Sequence, residues 1–300
     1  MRVRNPFAAI GIALSLSSGA YARPVAPSSI TQSRISVSVE GNGQDVILIP
    51  GLASSRDVWA GLATTLLKGH RVHLVQVAGF AGSPAASDSN RKVAAPTAEA
   101  IADYIRHEHI KTPIVIGHSL GGEMALMLGA RHPDAVGRLV IVDALPFYSL
   151  LIDPAATSAA MMPRAAEFRD ALLAASPAQA DAMQMASIAR LVKTETARPA
   201  LVAAGLKSDR RTVADATYEL MTTDLRPELG RITAPTEIIY AYDPIYGVPA
   251  SKIDAIFRTA YSSTRSVHFV RIDGSFHFIM FDQPKAFTQA VLDFIDPKTR

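Results

Sequence analysis

Apolar and polar positions along the chain repeat first with a period of two. Ile35, Val37 and Val39 alternate with Ser36, Ser38 and Glu40, which predicts a strand with one buried face, and Gly41-Asn42-Gly43 reads as its turn. The next stretch, "DVILIP" at 45–50, is a continuous apolar run and predicts a strand buried on both faces. From there helical and strand periods alternate: a helix in "RDVWAGLATTLL", a strand in "RVHLVQ", a helix in "TAEAIADYIRHEHI", a strand in "PIVIG", a helix from Gly121 to about His132, and a strand in "RLVIVD". Short apolar strands alternating with amphipathic helices predict an α/β fold, a mostly parallel, doubly wound sheet with helices on both faces.

The alternation stops after Leu145-Pro146. Residues 147–229 show helical periodicity only, punctuated by Pro154, Pro163 and Pro177 and containing Met161, Met162, Met183, Met185 and Met221. The sheet pattern resumes with "TEIIYAYD", a helix near Ala250 to Ala260, the strand "SVHFVRID" and a last helix after Pro284. An all-helical insertion in such an alternation is expected as a cap over the carboxyl ends of the strands, where open α/β sheets place ligands. The alternative, helices that belong to the scaffold, stays open, and methionine in such helices is more often core filler than substrate lining. The expected organisation is a signal peptide at 1–22, core at 23–146, helical cap at 147–229 and the second part of the core at 230–300.

Composition adds limits rather than new elements. Of 300 residues 49% are apolar and 19% charged, ample for a large core. Arg2 and Arg4 precede the uncharged run "NPFAAIGIALSLSSGA", which closes on Ala20-Tyr21-Ala22, the layout of a cleaved export signal and too short and serine-bearing for a membrane span. Cleavage near Ala22 would make the protein periplasmic or secreted. It would also leave 28 Lys+Arg against 27 Asp+Glu, so the formal charge falls from +3 to +1. No basic run or basic-aromatic stripe points to nucleic acid. The absence of cysteine excludes disulfides, thiolate nucleophiles and thiolate metal sites, and no H-E-x-x-H spacing occurs.

The chemistry-bearing motif is Gly117-His118-Ser119-Leu120-Gly121, a G-x-S-x-G pattern between the strand "PIVIG" and an Ala/Leu/Met-rich helix. Such a serine sits on a strained turn with its hydroxyl exposed, and residues without bulk on either side let strand and helix approach. A serine hydroxyl is too weak an acid to attack an ester unaided, so a base and an orienting acid must lie elsewhere in the chain.

From Ile35 to Phe294 the chain resembles the α/β-hydrolase family. "LIPGLASS" is similar to its oxyanion-hole turn, with Pro50-Gly51 where His-Gly is frequent; "GHSLGG" to its nucleophile elbow; "IIYAYD" to the strand ending on the acid; and "DGSFHFIMFDQP" to its histidine loop. The resemblance implies an α/β-hydrolase fold with an all-helical cap after the sixth strand. It implies Ser119 as nucleophile and, from the order serine, acid, histidine, His277 as base. Asp243 is the expected acid, because it ends a strand ahead of a Pro-containing loop as the usual acid does. Asp143, ending "RLVIV", is the alternative used by a minority of members. The backbone N–H groups of Leu52 and Leu120 are the implied oxyanion donors. Asp282 reads as a capping residue for the last helix, and His118 as packing beside Ser119.

The expected activity is that of an exported serine hydrolase acting on a small to medium carboxylic ester through an acyl-enzyme, with no cofactor, no metal, no nucleic acid and no membrane span. An aminopeptidase, acyltransferase or perhydrolase on the same triad, or a ligand-binding protein of the same fold, remains the alternative, and the sequence carries no reading of oligomeric state.

Overall fold

A computed structural model describes residues 28–31, 33–87 and 91–296. The proposed signal peptide at 1–22 lies outside the described residues. Strands are β1 (Ser28–Thr31), β2 (Ile35–Gly41), β3 (Gln44–Ile49), β4 (His70–Val77), β5 (Ile114–His118), β6 (Arg138–Val142), β7 (Thr236–Tyr242) and β8 (Val267–Asp273). Helices are α1 (Ala60–Leu66), α2 (Ala94–His107), α3 (Leu120–Arg131), α4 (Ser158–Ala174), α5 (Pro177–Leu191), α6 (Arg198–Lys207), α7 (Arg210–Thr222), α8 (Ala250–Ala260), the short α9 (Ile279–Asp282) and α10 (Pro284–Ile295).

The strands form one sheet in the order β1-β2-β4-β3-β5-β6-β7-β8. β1 and β2 pair antiparallel at one edge, and every pairing from β4–β3 to β7–β8 is parallel. The burial patterns follow the sequence periods: β5 is buried throughout, whereas β2 alternates at its start. Two apolar clusters result, one on each side of the sheet. The first gathers Ile47, Ile49, Val115, Ile141 and the α3 residues Met124 to Leu128; the second gathers Val46, Leu48, Ile116, Val140, Trp59 and Phe287. Burying a large apolar side chain contributes roughly 1.5–3 kcal/mol, so this double-sided core supplies the stability that disulfides cannot.

Two local outcomes differ from the sequence reading. The edge strand β1 was not expected, since four residues carry little periodic signal. The helix expected from Arg56 starts as a 3-10 turn over Arg56–Trp59, whose first amides are met by the Ser55 side chain accepting from Asp57 N–H, and only then continues as α1.

Between β6 and β7 the chain is helical, as its periodicity predicts. α4 packs on α7 and α5 on α6. α2 lacks a side-chain cap of its own, and Glu219 of α7 supplies one from across the fold. Its carboxylate accepts from the amides of Val93 (2.6 Å), Ala94 (2.9 Å) and Ala95 (3.0 Å), an acid placed where a helix N-terminus favours it. The segment between α5 and α6 is clasped to the loop after β8. Asp282 accepts from the amides of Lys193, Thr194 and Phe276 at 3.0, 2.8 and 2.9 Å, and Phe278 N–H donates to the Leu191 carbonyl at 3.0 Å. Asp282 therefore does not cap α10, contrary to the sequence reading; Gln283 holds that position without a side-chain cap. Adjacency to Pro284 suggested a local partner, but the carboxylate is claimed by amides 88 and 89 residues away.

Candidate active site

The turns after β3, β5 and β6 and the loop after β8 that carries His277, all at the carboxyl ends of parallel strands, build the site. β5 ends at His118, and Ser119 then takes φ 55°, ψ −123° before α3 begins. A left-handed φ in a non-glycine residue costs on the order of 1 kcal/mol and persists only where the surroundings impose it. Here Ser119 N–H donates to the Val142 carbonyl at 2.9 Å, and its own carbonyl accepts from Gly122 at 2.7 Å and Glu123 at 3.2 Å. The flanking glycines permit the turn: a Cβ on Gly117 would lie 2.1 Å from the Gly121 carbonyl oxygen, and one on Gly121 would lie 2.4 Å from that of Ile49. The G-x-S-x-G spacing is thus a steric requirement of strand, turn and helix meeting.

β6 ends one residue before Asp143, which also adopts a left-handed φ of 45°. Its amide donates to the Ile239 carbonyl at 2.7 Å, and its Oδ1 accepts from Ala241 N–H at 2.9 Å. Its Oδ2 stands 2.7 Å from Nδ1 of His277. The expectation that Asp243 orients His277 is therefore corrected. Asp243 Oδ2 lies 2.5 Å from Lys193 Nζ, and its Oδ1 accepts from Ile245 N–H at 2.9 Å as the cap of a 3-10 turn. The lysine and the amide hold its carboxyl below the usual carboxylate range. Both aspartates end neighbouring parallel strands, so sequence position alone does not separate them; the turn conformation at Asp143 does.

The turn after β3 lies against the elbow. A Cβ on Gly51 would come 3.0 Å from Ser119 Cβ and 3.1 Å from His118 Nδ1. Ala53 takes φ 53° and Ser54 N–H bonds back to the Gly51 carbonyl at 3.3 Å, which closes the turn. Among the described residues neither the Leu52 nor the Leu120 amide donates to a protein acceptor, so both N–H groups are available beside Ser119. His118 is wholly buried beside Ser119, as its place in the elbow suggests.

Ser119, Asp143, His277, Gly51 and Leu52 line one cavity of about 950 Å³. Its outer wall comes from the helices between β6 and β7, including Leu151, Phe168, Leu172, Met183, Leu206 and Met221. Met221 is buried, but Met183 is 43% exposed and lines the cavity, so not every methionine there is core filler. Glu123 also belongs to the wall. It is fully buried with neither carboxylate oxygen bonded, and burial, then the nearby Glu219, pushes its carboxyl well above the usual 4.5. Sequence reasoning passed over it, although a single charge in "LGGEMALMLGA" is the signal that could have found it. Among the described residues no group of acidic or histidine side chains could hold a metal, and no helix is long and apolar enough to cross a membrane.

Residues 46–284 match the model of the alpha/beta hydrolase fold family. The chain belongs to the α/β-hydrolase family. Similarity within the family extends to a pimeloyl-[acyl-carrier protein] methyl ester esterase of Aromatoleum aromaticum, 29% identical over 66% of this chain and 79% of that protein. Among solved α/β-hydrolase structures, the enol-lactonase from Burkholderia xenovorans LB400 superposes with a TM-score of 0.70 at 19% identity, covering 87% of this chain and 96% of the other. A thermophilic esterase from Thermogutta terrifontis gives 0.71 at 19% identity, covering 91% and 99%. At these identities the superpositions bear on the fold. With the esterase relatives, family membership makes the chain a hydrolase of the carboxylesterase type.

Proposed function

We propose that the chain is an exported serine carboxylesterase whose nucleophile, base and orienting acid are Ser119, His277 and Asp143. The observation that carries this reading is the 2.7 Å contact between Asp143 Oδ2 and His277 Nδ1 on the wall of a cavity that Ser119 also lines from its strained elbow. Asp143 accepts from Nδ1–H, which leaves the Nε2 lone pair to take the serine proton. Ser119 Oγ attacks the ester carbonyl as that proton passes to His277. The tetrahedral oxyanion accepts from the Leu52 and Leu120 amides, each such donor typically lowering the barrier by about 2.7–4 kcal/mol. His277 then protonates the departing alcohol. Water, deprotonated by the same histidine, releases the acid from the acyl-enzyme and returns Ser119 to its starting state.

The apolar wall supports an acyl group of small to medium length, and the curated relatives, named for methyl ester hydrolysis, support a small alcohol. The helices between β6 and β7 act as the cap of this cavity. Export rests on the N-terminal composition, Arg2 and Arg4 ahead of a short uncharged run ending at Ala22.

The test is turnover of p-nitrophenyl and methyl esters of graded acyl length by the purified chain lacking 1–22, beside Ser119→Ala. Turnover confined to wild type, with a preference among acyl lengths, is expected; equal turnover by folded Ser119→Ala would overturn the reading.

A further inference from the structure

One buried histidine has no part in the proton transfers. His118, the last residue of β5, is fully buried directly before Ser119. Its Nε2 lies 3.1 Å from the carbonyl oxygen of His277. A carbonyl can only accept, so Nε2 carries the hydrogen and Nδ1 holds a lone pair. That lone pair has no partner among the described residues and faces the turn at Gly51. The ring lies 4.5 Å from the His277 ring and 4.9 Å from that of Phe278, with Trp59 edge-on at 6.4 Å. Burial, then the nearby His277, holds the imidazole neutral.

An apolar side chain would pack against Trp59 and Phe278 without leaving a buried nitrogen unpaired. It could not donate to the His277 carbonyl. That donor ties the main chain of the base to the strand that carries the nucleophile, and the same ring abuts the turn that carries the Leu52 amide.

We propose that His118 is a positioning residue: through its Nε2–H it fixes the backbone of His277 at the height where Nδ1 meets Asp143 Oδ2 and Nε2 is left for Ser119. The inference rests on the triad reading above. His118 stands in the cavity wall but has no exposed surface, so its loss acts on the chemical step and not on binding.

The experiment compares His118→Gln, whose terminal amide N–H can reach the same carbonyl, with His118→Met and His118→Phe, which have no donor. Ester turnover and urea unfolding are measured for each, with His277→Ala as control. The donor-less variants are expected to lose about tenfold or more in kcat with KM changed by less than about threefold, and His118→Gln to recover most of that loss. A kcat for His118→Met within about twofold of wild type, or equal losses in the Gln and Met variants, would overturn the proposal. If the Phe variant does not fold, the Gln and Met pair decides alone, since the two side chains are nearly isosteric. An inactive His277→Ala beside an active His118→Met defeats this inference only; an active His277→Ala defeats the triad reading.

Discussion

Asp143 Oδ2 sits 2.7 Å from His277 Nδ1, at the end of the strand adjoining the one that carries Ser119. The bond fixes which nitrogen of His277 bears hydrogen. A second aspartate at the end of the next strand, Asp243, is spent on Lys193 and the Ile245 amide.

That division of labour predicts unequal losses. Asp143→Asn should lower kcat on a p-nitrophenyl ester by on the order of a thousandfold or more, because an amide no longer enforces the productive tautomer. Asp243→Asn should change kcat by less than about fivefold, since its partners lie outside the proton path. Steady-state kinetics on both variants checks the pair, and a larger loss in Asp243→Asn contradicts the assignment.

The clasp at Asp282 predicts a joint effect on stability and activity. Asp282→Ala removes the acceptor of three amides, two beside the α5–α6 connection and one in the histidine loop. Unfolding free energy should fall by about 1–3 kcal/mol. Because Phe276 adjoins His277, kcat should fall as well. Urea denaturation with parallel kinetics reads both, and an unchanged midpoint tells against the clasp.

Glu123 predicts a pH dependence with a definite sign. Its carboxyl is raised well above 4.5 in the fold by burial and by Glu219. Below the unfolded value both states are protonated and nothing is lost. As pH rises, the unfolded chain ionises while the folded one resists, so stability declines from there up through the folded pKa. Glu123→Gln removes this titration, so its stability relative to wild type should improve between about pH 4 and pH 8. Urea midpoints at the two pH values measure it; a constant difference contradicts the buried neutral acid.

The turn at Gly51 predicts a loss confined to catalysis. A methyl there would meet Ser119 Cβ at 3.0 Å and the His118 carbonyl oxygen at 3.2 Å, so the turn must retreat by a few tenths of an ångström. Gly51→Ala should fold, yet lose roughly tenfold or more in kcat as the Leu52 amide moves off the oxyanion. Kinetics with circular dichroism separates this from unfolding, and an unchanged kcat speaks against the donor.

Most of the scaffold was legible in the sequence because the sheet is buried on both faces. Runs such as "PIVIG" and "RLVIV" are short, β-branched and continuously apolar, which fits a strand buried on both faces, and the glycines around Ser119 record a steric demand that local residues must satisfy. The acid was not legible, because it depends on which strand-end aspartate turns toward a loop more than 30 residues further on. Asp143 and Asp243 each end a buried parallel strand, and the proline after Asp243 pointed the wrong way; backbone conformation and long-range partners separate them. Asp282 misled for the same reason: its place before Pro284 looks like a cap, while its partners come from the helical insertion. Glu123 escaped because its importance lies in lacking a partner, which only the packed fold reveals.

The central claim, that Ser119 is a nucleophile activated by His277 and Asp143, is tested most directly by mass spectrometry of the folded protein after reaction with a fluorophosphonate. A single adduct on the peptide bearing Ser119 is predicted in wild type, absent from Ser119→Ala and formed far more slowly in His277→Ala and Asp143→Asn. An adduct on another residue, or equal labelling rates in wild type and His277→Ala, would contradict it.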